Sequence, residues 1–205
     1  RIENHFSARL LRETNAGPPI VHPREPGWVV RIVDGEPVLE QMSWGFPVHL
    51  RGKSGQPLKP KPVNNARFDK LNGFWKQWAM KPANRRLIPA SAYAEAVGPA
   101  GAMMTTWLSV RDQPLFAWAG LWRDSEEWGA CYTGVMTNNA PELASIHDRS
   151  PVILEKADWD TWLNAPLDEL RQFDRPYPAD RIRVTETSVL WKAGGSQPPA
   201  LPINS

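Results

Sequence analysis

A single cysteine, Cys131, in 205 residues leaves no disulfide framework within the chain and fits a reducing, cytoplasmic compartment. Long apolar runs are missing too. None approaches the ~20 residues that a membrane helix needs, so the chain reads as soluble with no membrane partner. The histidines are few and scattered (His5, His22, His49, His147), so no Cys/His cluster has metal-ligand spacing, and neither a metal nor a cofactor is expected. Neither charge sign dominates, because the formal net charge is only +2. That permits a nucleic-acid partner without arguing for one, since a local basic patch can hide under a balanced total. With 41% hydrophobic and 22% charged residues, global disorder is excluded and one folded unit over 1–205 is the economical reading.

What the chain has in excess is tryptophan and proline, 11 and 21 residues. Trp is costly to leave exposed, so most of these belong in a core, and a minority at a cleft would stack on bases. The prolines keep helices short. Ile2, Phe6, Leu10 and Leu11 stand at helical spacing and predict a helix over Arg1–Thr14, halted by Asn15-Ala16-Gly17-Pro18-Pro19. Gly27–Val33 and Pro37–Met42 are extended runs around Asp34-Gly35, a favoured hairpin turn. Residues 51–62 are basic and rich in Gly and Pro, a solvated loop or a nucleic-acid contact. Phe68, Leu71, Trp75, Trp78 and Ala79 mark a helix face ended by Pro82. Strands are predicted at Arg85–Pro89, Tyr93–Val97, Met103–Val110, Leu115–Ala119, Ala130–Thr137 and Arg183–Val189, with a helix over Leu154–Leu163 and a loop tail from Gly194. The fold class is therefore α+β: mostly antiparallel, barrel-like twisted sheets flanked by a few short helices.

Four stretches hold polar residues suited to chemistry. In Asn64-Asn65-Ala66-Arg67, an amide beside a guanidinium can orient a substrate and grip a phosphate; the competing role is a helix N-cap. Glu95, among small apolar neighbours in Ala92–Val97, is either a desolvated acid–base group or a solvent-facing strand residue. Ile146-His147-Asp148-Arg149-Ser150-Pro151 sets an imidazole that titrates near neutrality beside an arginine, although a lone histidine often has only a structural role. Trp44-Gly45-Phe46-Pro47 reads as a close-packed strand end.

The order and wording of these blocks, with RRLIPASAYAEA, LFAWAGLW and YTGVMTNNAPELASIHDRSPVIL between and after them, resemble the SRAP family (SOS response-associated peptidase, the abasic-site crosslinking family) along residues 25–191. The resemblance implies a monomer that binds single-stranded DNA without sequence preference. In that family a cysteine exposed by removal of the initiator methionine attacks the ring-opened aldehyde of an abasic site through its α-amine, and its thiol closes a thiazolidine ring. An α-amine with pKa ~7.7–8.0 offers a neutral fraction near pH 7, and ring closure by the attached thiol is intramolecular. Carried over residue by residue, Asn65 would position the sugar or amine, Glu95 would move protons, and His147 would assist opening or reversal of the link. Arg67 and Arg149 would hold phosphates, and the family name implies a peptidase-type self-processing.

The chain departs from that pattern at its start, which reads Arg1-Ile2-Glu3-Asn4 without Met-Cys. An opening Arg1 implies either a trimmed or processed N-terminus or a member that has lost its nucleophile. Cys131, inside an apolar strand with no free α-amine, cannot replace it, so the chain as given is expected to be inactive. Phe46–Leu50 stands where the family has a Trp-bearing loop, and the family's aromatics around the glutamate are reduced to Tyr93. Two rival readings remain: a non-catalytic single-stranded DNA-binding module, and a hydrolase using Ser150 or Ser145 with His147.

Overall fold

The helical spacing of Ile2, Phe6, Leu10 and Leu11 is realised for little more than one turn. In the computed structural model, which describes residues 2–15 and 17–193, helix α1 covers Ile2–Phe6 and stops at Ser7, whose φ is 49°. Arg1, Ala16 and the tail from Gly194 lie outside the described residues. The chain then turns into β1 (Arg9–Leu10), parallel to Val38–Leu39, and the Leu11 amide donates to the Leu39 carbonyl at 3.0 Å. A strand edge with unpaired carbonyls competes successfully with a short solvated helix for these backbone groups. The predicted helix over Arg1–Thr14 is thus corrected to α1 plus a strand.

Asp34 and Gly35, with φ of 52° and 82°, make the two-residue turn between β2 (Pro26–Val33) and β3 (Glu36–Trp44), as the Asp-Gly pair predicts. At Gly45 the chain leaves the sheet for a hairpin of β4 (Phe46–Val48) and β5 (Lys61–Val63), then returns as β6 (Asn65–Arg67). Gly45 has φ of 114°, and a Cβ there would stand 2.7 Å from Pro62 and 2.8 Å from Asn64 Oδ1, so departure and return cross where only glycine fits. The expected helix Phe68–Ala79 is broken into a 3₁₀ turn, Phe68–Lys70, and a single turn α2 (Lys76–Ala79). Leu71, Trp75 and Ala79 are still buried, because the apolar face decides docking even where the helix is irregular.

β7 (Arg85–Ala90), β8 (Tyr93–Val97), β9 (Met104–Val110), β10 (Phe116–Ser125) and β11 (Gly129–Asn138) follow. The described chain ends with β12 (Arg149–Pro151), β13 (Ile153–Leu154), α3 (Trp159–Asn164) and β14 (Ile182–Leu190). The helix predicted over Leu154–Leu163 is shortened to α3 with a 3₁₀ turn, Lys156–Asp158, before it, set by a capping box between Glu155 and Asp158.

Strands β3, β2, β7, β10 and β11 pair in that order, and β11 pairs back onto β3 at Cys131↔Ser43 and Tyr132↔Trp44. The result is a closed five-stranded barrel, antiparallel except at that closing pair. β6 extends the line of β3 along β11, with the Gly134 amide bonded to the Asn64 carbonyl at 3.0 Å. Alternate residues divide between two apolar clusters. A five-stranded barrel is too narrow for helices, so the face that packs Trp75 and Trp162 is its outside. Val29, Met42, Ile88, Trp118, Tyr132 and Met136 fill its inside. The indole of Trp118 lies over Gly134, where a Cβ would come within 1.9 Å of the ring. A second sheet, β14-β9-β8, lays Tyr93, Leu108, Val110 and Ile182 over the barrel end marked by Phe116 and Ala90. Ten of the 11 tryptophans are buried or half-buried, and only Trp191 is classed as exposed.

Candidate active site

The barrel end beneath the second sheet gathers the polar residues. Asn65 pairs with Gly134, Arg67 with Met136, and Arg149 with Asn138. Paired residues share a face, so all three project to the side of Trp118 and Met136, at the mouth of the barrel. In the covering sheet, Tyr93 meets Phe116 edge-on at 6.3 Å, and Glu95, two residues further, shares Tyr93's face. Glu95 is half-buried, and its carboxyl pKa is raised by desolvation, opposed by the nearby His147 and reinforced by Asp148. The solvent-facing alternative for Glu95 is therefore set aside, since an exposed carboxylate would keep its hydration.

His147 lies in the turn before β12. Asn139 clamps that turn by donating to the carbonyls of Leu143 (3.3 Å) and His147 (3.0 Å). The Nδ1 of His147 accepts the Arg149 amide at 3.0 Å and stands 3.3 Å from Asp148 Oδ1. The Arg149 carbonyl lies 3.2 Å from the same nitrogen, so the Nδ1 edge of the ring is held against the β12 backbone.

Arg67 makes a two-pronged pair with Asp69, both bonds 2.8 Å. The hydrogen bond from Arg67 holds the Asp69 carboxyl below the usual range, with Arg67, Lys70 and Arg149 charges adding to it. Arg67 and Arg149 thus share one electrostatic neighbourhood, with Asp69 between their claims. Asp69 had no place in the sequence reading; its signal was only the two-residue spacing from Arg67.

The N-cap role for the Asn64-Asn65 pair is corrected. Asn65 lies in a strand, and the cap position of the next 3₁₀ turn is Arg67, with no side-chain capping bond. Asn64 instead supplies the backbone carbonyl that accepts from Trp44 Nε1 at 3.0 Å, while its side-chain Oδ1 is buried without a partner among the described residues. Ser150 pairs with Thr137 on the opposite face, and its buried Oγ has no partner among the described residues, so no Ser–His couple forms there. Cys131 is fully buried, and burial pushes its thiol pKa up. Among the described residues no three His, Cys, Asp or Glu side chains group to hold a metal, and no helix is long and apolar enough to cross a membrane.

Because the folded pKa of Glu95 lies above its unfolded value, ionising it costs stability. That contribution is intact below the unfolded pKa and is lost as pH rises through the folded one. Glu95→Gln should therefore unfold at a higher temperature than the parent at pH 8, with the gap closing below about pH 4. Thermal melts across that range check it; a constant offset at all pH values would show that Glu95 is ionised without penalty.

A small barrel thus carries a desolvated carboxyl, an imidazole and two arginines around one end. The family model for SOS response associated peptidase (SRAP) matches residues 4–190, and the chain belongs to that family. It is 30% identical over 128 residues to the abasic site processing protein YoqW of Bacillus subtilis, and equally to that of Bacillus phage SPbeta. Each match spans 58% of this chain and 57% of the relative, so the chain aligns with little more than half the length of those proteins. A crystal structure of a Bordetella bronchiseptica protein superposes with a TM-score of 0.74 at 26% identity, over 91% of this chain and 93% of the other. A Bacteroides thetaiotaomicron protein shares the fold at 17% identity and a TM-score of 0.62, over 82% of this chain and 79% of its own.

Proposed function

We propose that this protein processes abasic sites in single-stranded DNA, with Asn65, Glu95 and His147 around the reacting sugar and Arg67 and Arg149 on the flanking phosphates. The observation that carries this reading is the desolvated Glu95 carboxyl facing His147 at a mouth flanked by both arginines. Glu95, whose burial favours the protonated form, gives a proton to the sugar ring oxygen and takes the one lost from the C1 hydroxyl as the ring C–O bond breaks and the aldehyde forms. The α-amine of an N-terminal cysteine adds to that carbonyl carbon. Water leaves with a second proton passed through Glu95, and the thiol then adds across the C=N bond, its proton passing to nitrogen. The net change is one thiazolidine formed and one water released. The same cysteine would serve self-processing, removing the initiator methionine ahead of it. On this reading the protein binds DNA as a monomer in the cytoplasm.

The test is a denaturing gel after incubation of an abasic oligonucleotide with protein carrying its gene-encoded N-terminus. A denaturant-resistant band is the expected result. A salt-sensitive mobility shift with no such band would sink the crosslinking chemistry and leave a single-stranded DNA-binding module.

A further inference from the structure

Charge is unevenly spread along this nearly neutral chain. Ten of its 24 basic residues but only one of its 22 acidic residues, Asp69, lie between Arg51 and Arg86, so the remainder is acidic on balance. A polyanion is thereby drawn to one flank and repelled elsewhere. Arg85 and Arg86 are buried, but the other basic residues of this stretch are exposed, among them Lys70, Lys76 and Lys81. Arg67, at the site, leads directly into this flank.

Phe74 lies within it and is 60% exposed, the most exposed of the large hydrophobic side chains among the described residues. Core packing does not account for it. The inward positions of its segment are Leu71, Trp75 and Ala79, and Phe74 falls outside that face. Its ring is nevertheless braced, meeting Trp75 edge-on at 4.9 Å and Trp78 at 6.4 Å, with Trp78 in turn edge-on to Phe46 at 5.3 Å. A braced ring offers a flat face at little cost in side-chain entropy. Protein interfaces deplete lysine at their centres, whereas aromatic faces among cations suit unpaired bases and their phosphates. A duplex keeps its base faces inside the stack, which leaves nothing for such a ring to cover.

We propose that Phe74, with Lys70 and Lys76, forms a second binding segment for single-stranded DNA, continuous with the site at Arg67, with Phe74 stacking on one base. This rests on the reading of the site as a single-stranded DNA mouth. The strand that leaves past Arg67 runs over Lys70 to Phe74, so the protein holds more nucleotides than the reacting one and its phosphates.

Fluorescence anisotropy with oligothymidylates of increasing length tests this on the full chain. Affinity should rise with length until the segment is covered. Phe74→Ala should weaken binding of the long oligonucleotide by about tenfold or more, as should Phe74→Leu, whereas Phe74→Trp should restore it. Lys70→Ala with Lys76→Ala should reduce the slope of log affinity against log salt by about 0.7 for each lost contact. If the parent binds the long strand and all the Phe74 variants match it, the segment does not exist while the site reading stands. Failure of the parent to bind any length at low salt would overturn both.

Discussion

Arg85→Ala is expected to cost about 4 kcal/mol or more, a large share of the stability of a domain this size. Arg85 is fully buried on the outer face of β7, with no carboxylate partner among the described residues. Its Nε donates to the carbonyl of Ala79, the last residue of α2, at 2.9 Å. Its Nη1 donates to the carbonyls of Trp162 (3.1 Å) and Ala165 at the end of α3. One guanidinium therefore satisfies carbonyls that two helix ends leave without intrahelical donors, and its positive charge meets the negative ends of both dipoles. Burial pulls its pKa down to about 10, still well above neutrality, so the charge persists. Removing it leaves buried carbonyls unpaired and a cavity between helix and barrel, and both terms act in the same direction. Lysine, a single point donor, should recover less than half of the loss because it cannot span both helix ends. Urea unfolding of the three proteins measures this; a change under 1 kcal/mol for alanine would mean that water reaches those carbonyls.

The second large effect concerns chemistry. In protein that forms the covalent DNA complex, Glu95→Gln should slow crosslinking by about 10²–10⁴-fold, the range for removal of a general acid–base group. Glutamine keeps the shape but cannot release or take a proton, so affinity for an undamaged strand should change less than about twofold, as for a group that makes no phosphate contact. The raised Glu95 pKa gives the parent a rate that falls on the alkaline side as the acid ionises. Deprotonation of an α-amine with pKa about 7.7–8.0 pushes the rate up over the neighbouring interval, so the profile should be bell-shaped. The glutamine variant should lose the limb that belongs to Glu95. Equal loss of rate and affinity would instead assign Glu95 to the architecture of the mouth.

The hairpin around Asp34-Gly35 and the strands β7 to β11 were legible because period-two patterns and turn dipeptides act locally. The helices were legible as apolar faces but not as lengths. Ile2 to Leu11 and Phe68 to Ala79 repeat at helical spacing, yet both segments are so short that neighbouring strands and 3₁₀ turns claim their backbone bonds. The site was legible as residue types in order. The opposite facing of Asn65 and Asn64 was not, since only the pairing of β6 with β11 turns Asn65 to the mouth and leaves the Asn64 backbone carbonyl to accept from Trp44 Nε1.

By itself, the sequence determined the family, the α+β class and the hairpin, and it nominated Asn65, Arg67, Glu95, His147 and Arg149 for the site, because these depend on local pattern and on residue chemistry. Only the tertiary structure decided that the ring of strands closes by a parallel β3–β11 pair, that Gly45 is the crossing point of the excursion, and that Glu95 is desolvated by burial with His147 nearby. Each of these joins residues far apart in the chain. Closure, crossing and desolvation are set by what the folded chain brings together, and no window of neighbouring residues contains that information.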